Sequence, residues 1–238
     1  MLRFYYTITA GFGFALYYLL MMEHCLQHPQ RYDEKYRYSL ARRLIFRMNA
    51  IARVSVEAKG LENLPCEGGY ILYANHQGRY DASGVITVHE RPLSIVVDAA
   101  RACKPLMRQT LGVLEGKAFV RGNLRQNAAQ GEKIVEEVRR GRRYLIFPEG
   151  AYGDNKNTLQ EFRSGCFQFA KRAGCPIVPV ALTDTYKVFG VDSLRPVRVS
   201  VEILPPMPFE QYGAMRTREI AAEVKRRIAA RMPAQRTE

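Results

Sequence analysis

Short apolar runs, each bounded by turn-forming residues, constrain this chain more than any other feature of its sequence. They are Tyr70–Tyr73, Leu93–Val97, Tyr144–Phe147, Pro176–Leu182 and Val197–Ile203. Runs of this length, punctuated by Gly, Pro and Asn, have the extent of strands rather than helices. The last run alternates apolar and polar residues, as does Val54–Ala58, which fits strands with one face exposed. Between the runs, Ala100–Leu111, Asn123–Arg140, Glu161–Arg172 and Thr217–Met232 read as helices, with Asn123 placed to cap its helix and Gly141 to stop it. Pro179 lacks a backbone N–H and suits an edge or irregular strand position. Strands alternating with helices over residues 52–204 predict an α/β domain whose sheet is covered by helices on both faces.

Two polar motifs sit just beyond strands in this scheme, where open α/β sheets collect their ligands. The first is Ala74-Asn75-His76-Gln77-Gly78-Arg79-Tyr80-Asp81. A neutral imidazole takes a proton near pH 7 when a carboxylate fixes its tautomer and stabilises the imidazolium. Five residues of continuous helix would rotate His76 and Asp81 apart, so their pairing requires a turn, which Gly78 permits. Asp81 is also placed to be the N-cap of a helix over 82–88, a purely structural role. The second motif, Pro148-Glu149-Gly150, follows the strand at 144–147.

Residues 4–22 form the least polar stretch, with only Thr7 and Thr9 as polar side chains. As one helix it would reach about 28 Å, barely the hydrocarbon thickness of a bilayer, so it could span, lie in the interface or fold as a hairpin. No small-x-small cleavage site follows Met22. Seven basic residues lie between Arg31 and Arg53, with Leu40, Leu44, Met48 and Ile51 at helical spacing among them. That pattern fits a basic amphipathic helix on an anionic membrane, and equally a surface helix docked on the domain. Residues 1–50 are therefore expected to form a membrane-associating unit and residues 51–238 the α/β domain. Were the apolar stretch to span, the charges after it would put that domain on the cytoplasmic side.

The net charge of +13 points to anionic partners: nucleic acid, anionic lipid, acyl-CoA phosphates or an acidic carrier protein. A basic nucleic-acid-binding module would explain the charge, yet neither zinc-finger spacing nor an aromatic RNA-binding signature is present. Five cysteines without a C-x-x-C pair argue against a disulfide framework or a zinc site and for a reducing compartment.

Four blocks in order carry a family resemblance: Asn75-His76 with Asp81, Gly116 to Arg121, Phe147-Pro148-Glu149-Gly150, and Ile177-Val178-Pro179-Val180. Together with Phe162-Arg163-Ser164-Gly165 they resemble the lysophospholipid acyltransferases, in particular the 1-acylglycerol-3-phosphate acyltransferases. The resemblance covers roughly residues 52–204. It implies a glycerol-phosphate acyltransferase-like α/β fold, a mixed sheet with helices on both faces, at a membrane surface. It implies transfer of an acyl chain from acyl-CoA or acyl-carrier protein to lysophosphatidic acid, without metal or bound cofactor. By the same resemblance His76 is the base and Asp81 its partner, while Asn75, Arg121, Glu149 and Gly150 bind the acceptor. Two blocks depart from the family's pattern. The second commonly ends Asp-Arg or Arg-Arg but here reads Arg121-Gly122; the third commonly reads Glu-Gly-Thr-Arg-Ser but here reads Glu149-Gly150-Ala151-Tyr152-Gly153. Arg79, Arg125, Lys156 and Arg163 are candidate substitutes for the missing arginine. The departures leave open a different lysophospholipid or lyso-aminolipid acceptor, and water in place of the acceptor would make the same histidine a thioesterase base.

Overall fold

The apolar runs build a single mixed sheet in the computed structural model, which describes residues 2–120 and 122–233. Helices α1 (Leu2–Ala10), α2 (Phe12–Gln27) and α3 (Glu34–Ala52) precede strands β1 (Val54–Lys59) and β2 (Ile71–Ala74). Helix α4 (Asp81–Val88) leads to β3 (Ser94–Asp98), the short α5 (Ala99–Ala102), α6 (Met107–Val113) and β4 (Lys117–Phe119). Then come α7 (Leu124–Arg139), β5 (Tyr144–Ile146), α8 (Phe167–Ala173), β6 (Ile177–Thr183), α9 (Lys187–Gly190) and β7 (Val197–Ile203). Helices α10 (Phe209–Tyr212) and α11 (Thr217–Ala229) are the last described.

The strand order is β1-β7-β6-β2-β5-β3-β4. Only the β6–β7 pair is antiparallel among these neighbours. Side chains alternate across a strand, so β2 sends Leu72 and Ala74 to one core and Ile71 and Tyr73 to the other. The first core adds Met22 and Cys25 of α2, Leu40, Ala41 and Leu44 of α3, and Val85 and Ile86 of α4. The second adds Ile134 and Val138 of α7, Phe167 and Ala170 of α8, and Ile220, Val224 and Ile228 of α11. Burial on both faces is why the central strands read as unbroken apolar runs. In β7 only Val199, Val201 and Ile203 are buried, matching its alternation.

Residues 4–22, which could span, lie in the interface or fold as a hairpin, fall in two helices: α1 and α2 meet at Gly11 with a bend of 70°. A β-carbon at Gly11 would lie 2.7 Å from the Thr7 carbonyl oxygen and 3.0 Å from Met48 Sδ, so the corner closes tightly over α3. No single described helix is long and apolar enough to cross a membrane. The helix expected over 100–111 breaks into α5 and α6 around Pro105, which cannot donate a helical N–H. The helix expected from Glu161 starts only at Phe167, after a 3₁₀ turn, because Arg163 is extended (φ −71°, ψ 116°), with its N–H bonded to the Pro148 carbonyl at 2.9 Å.

Pro179 lies in an interior strand, between β2 and β7. Its carbonyl accepts from Leu204 N–H at 2.9 Å, so its nitrogen faces the same side, where β7 has ended and no ladder bond is lost.

The basic stretch is a docked helix. Arg42 donates to the carbonyls of Ile86 and Thr87, and Arg37 pairs with Glu115. At the other end, buried Arg3 donates through its guanidinium to the carbonyls of Lys187 and Val188 at 2.9 Å and of Arg195 at 2.6 Å. These bonds tie α1 to α9 and to the turn before β7, while Leu2, Tyr5, Phe12, Phe14, Tyr17 and Leu20 remain exposed.

Candidate active site

Three neighbouring parallel strands, β2, β5 and β3, end on the same edge of the sheet. Their C-terminal extensions carry His76, Phe147–Gly150 and α5 respectively. His76 Nδ1 lies 2.6 Å from Asp81 Oδ2, and the Asp81 side chain is fully buried. The same oxygen accepts the backbone N–H groups of Gln77 at 2.5 Å and Gly78 at 2.9 Å. An oxygen held by two such donors is an acceptor, so the proton between the side chains belongs to Nδ1. That leaves Nε2 as the acceptor nitrogen of the ring. Phe147 stacks on the imidazole with centroids 4.2 Å apart, and Tyr152 meets it edge-on at 4.7 Å.

Asp81 is not an N-cap. It is the first helical residue of α4, behind Tyr80, and its carboxylate turns back to the two preceding N–H groups and the imidazole. The turn expected at Gly78 is thus built by those two hydrogen bonds.

Glu149 reaches the site through the backbone: Oε1 accepts His76 N–H at 3.1 Å, and Oε2 accepts from Gln160 Nε2 at 2.8 Å. Burial, with Asp81 nearby, pushes its carboxyl up to about 7, against the lowering effect of those hydrogen bonds. Gly150 adopts a φ of +74°, and the Arg163 guanidinium lies over it, 3.0 Å from where a β-carbon would stand. The positive φ is what favours glycine there.

Asn75 is buried, and both its polar atoms are committed to one residue of β6. Nδ2 donates to the Leu182 carbonyl at 3.0 Å, and Oδ1 accepts Leu182 N–H at 2.7 Å. Gln77 extends this pinning: its Nε2 donates to Leu182 and Asn157, and its Oε1 accepts from Thr185. Asn155 Nδ2 donates to the His76 carbonyl at 3.0 Å. The backbone at the histidine is therefore held directly by Glu149 and Asn155, while the side chains of Asn75 and Gln77 on either side of it are anchored on Leu182 of β6, Asn157 and Thr185. Sequence reading missed Gln77, Asn155, Asn157, Gln160 and Thr185, which are isolated polar residues with no spacing that links them.

Residues 55–183 match the family model described as Acyltransferase. The chain belongs to the acyltransferase family. It is 30% identical over 181 residues to the 1-acyl-sn-glycerol-3-phosphate acyltransferase of Salmonella typhimurium, covering 75% of this chain and 73% of that protein. The protein of the same name from Escherichia coli is 27% identical over 180 residues, with the same two coverages. In fold the chain resembles the crystal structure of the 1-acyl-sn-glycerophosphate (LPA) acyltransferase PlsC from Thermotoga maritima. The TM-score is 0.73 at 21% identity, covering 100% of this chain and 97% of the other.

In this acyltransferase the basic residues that the sequence offers for the acceptor are placed as follows. Arg121 lies outside the described residues. Arg79 is turned away, its guanidinium 5.5 Å from the centre of the Phe4 ring. Arg125 is in the first turn of α7, and Lys156 sits in the loop after Tyr152 at a φ of +46°. Arg163 is the one substitute candidate seen against a block residue, over Gly150. Tyr152, where the family commonly has arginine, carries a cation instead: the Arg101 guanidinium lies 4.5 Å from its ring centre. Nothing in the sequence pattern singles out Arg101, because it reaches the site from a different strand end.

Proposed function

We propose that this acyltransferase moves an acyl chain from a thioester, acyl-CoA or acyl-carrier protein, to the free hydroxyl of lysophosphatidic acid, giving phosphatidic acid. The observation that carries the reading is the His76–Asp81 pair at the strand ends, with Nδ1 bonded and Nε2 left to accept. The acceptor hydroxyl gives its proton to Nε2 as its oxygen bonds to the thioester carbonyl carbon. Collapse of the tetrahedral intermediate breaks the C–S bond, and the leaving thiolate takes that proton back from the imidazolium. Asp81 stabilises the imidazolium between the two steps. No enzyme nucleophile, metal or bound cofactor is needed, because the acceptor alcohol attacks directly. Arg121 and Arg163 are assigned to the acceptor's phosphate; Asn75 and Glu149 serve by fixing the backbone at His76 rather than by touching substrate.

The exposed apolar side chains of α1 and α2 suit a bilayer surface. Arg47 of α3 lies beside them, 5.4 Å from the Phe14 ring centre. Docking through this face would present the acyltransferase site to lipid at the membrane interface. Flotation with anionic vesicles, and much less with zwitterionic ones, is expected; equal or absent flotation rejects the surface. A second acceptor reading, another lysophospholipid or lyso-aminolipid, is favoured by Tyr152 standing where the family commonly has arginine.

The test is purified protein with labelled acyl donor and a panel of lysolipids. Phosphatidic acid should be the dominant product. Thiol release independent of acceptor would make the protein a hydrolase, and preference for another lysolipid would move the acceptor assignment.

A further inference from the structure

We infer that Arg101, held on the face of Tyr152, is a binding residue for the acceptor's phosphate monoester and sets the preference for phosphorylated acceptors. This rests on the acyl-transfer reading above. Arg101 belongs to α5, which starts immediately after β3, and β3 is separated from β2 by β5 alone. Strands lie about 4.8 Å apart, so the two chain ends are separated by about 10 Å. Tyr152 stands between them, with its ring centre 4.7 Å from the His76 ring centre and 4.5 Å from the Arg101 guanidinium carbon, so imidazole and guanidinium lie within about 9 Å of each other.

The acceptor has the length to reach both groups by passing over the Tyr152 ring. Its hydroxyl oxygen and its phosphorus are four single bonds apart, about 4–5 Å. A hydrogen bond of about 2.8 Å at each end brings the reach to about 10 Å. An acceptor with its hydroxyl at His76 Nε2 and its phosphate at Arg101 therefore lies across the strand ends without distortion.

The state of the arginine also fits. Arg101 is exposed and has no ion pair among the described residues, whereas nearby Arg108 pairs with Glu23 at 2.6 Å. Stacking on a ring uses the face of the guanidinium and leaves its N–H edge free, the edge that binds phosphate in a fork. Arg163 over Gly150, at the end of the intervening strand β5, offers a second cation on the same edge. A tyrosine at position 152 thus conserves the charge of the site by carrying an arginine from another strand end.

Steady-state kinetics on the full chain, varying lysophosphatidic acid and acyl-CoA separately, test the assignment. Arg101→Ala is expected to raise the acceptor KM about 10- to 100-fold, the usual range for a charge-assisted contact, with the acyl-CoA KM within about twofold. It should also shrink the preference for lysophosphatidic acid over an uncharged monoacylglycerol, and Arg101→Lys should recover part of the loss. Tyr152→Leu should raise the acceptor KM several-fold, and Tyr152→Phe, which retains the ring, should restore it. An unchanged acceptor KM in Arg101→Ala, with the unaltered protein active, overturns the subsite and leaves the acyl-transfer reading standing. A rise confined to the acyl-CoA KM overturns it too, assigning Arg101 to a donor phosphate. No transfer to lysophosphatidic acid by the unaltered protein overturns both.

Discussion

Replacing Glu149 with glutamine removes a buried charge while keeping the side chain's size. Glu149 is 5% exposed and has no cation among its hydrogen-bond partners, only His76 N–H and the Gln160 amide. Burial lifts its carboxyl from 4.5 to about 7, which at about 1.4 kcal/mol per pH unit makes the charged form cost about 3 kcal/mol. Because the folded value is the higher one, the folded chain binds this proton more tightly. Its contribution to stability is complete below about pH 4.5, is lost as pH rises, and is gone above about pH 7. Integrating between about pH 5 and pH 8.5 gives a loss of about 2.5 kcal/mol through this group. Glu149→Gln abolishes that loss. Glutamine also breaks part of the amide network, since Gln160 bonds both Glu149 and the Ala151 carbonyl, but that cost is independent of pH. Urea unfolding followed by tyrosine fluorescence suits a chain with 14 tyrosines and no tryptophan. The stability difference, variant minus wild type, should move in the variant's favour by about 2.5 kcal/mol from pH 5 to pH 8.5. Parallel pH profiles for the two proteins would refute the buried, cation-free environment assigned to Glu149.

Asp81→Asn should lower kcat by about 10²- to 10⁴-fold with a much smaller change in acceptor KM, since an amide fixes the wrong tautomer at His76; a kcat within tenfold of wild type would remove Asp81 from the proton path. Asn75→Ala strips the buried Leu182 N–H of its partner and should cost about 1–3 kcal/mol of stability, measured by urea unfolding. An unchanged stability with a selectively raised acceptor KM would instead make Asn75 a substrate contact.

The sheet was legible because strands buried on both faces leave unbroken apolar runs, and β7 betrayed its exposed face by alternation. The histidine and carboxylate could be paired by spacing, but not the reason for the pairing. Asp81 is held by the N–H groups of Gln77 and Gly78, a role that no side-chain pattern encodes. The bend at Gly11 was hidden because it depends on Met48 and Ile51 of α3 packing against it. The amides at Asn155, Asn157 and Gln160 were likewise silent: they act on residues about 80 positions away or on a neighbour across a loop. Arg101 was missed because the strand order, with β5 inserted between β2 and β3, brings its helix to the site.

Removal of the acceptor's proton by the imidazole of His76 is the step on which the proposed reaction turns. Transfer of a labelled acyl group to lysophosphatidic acid should fall at least about 10²- to 10⁴-fold in His76→Ala, with circular dichroism and unfolding midpoint unchanged. Turnover retained within tenfold of wild type by a folded His76→Ala protein would contradict it.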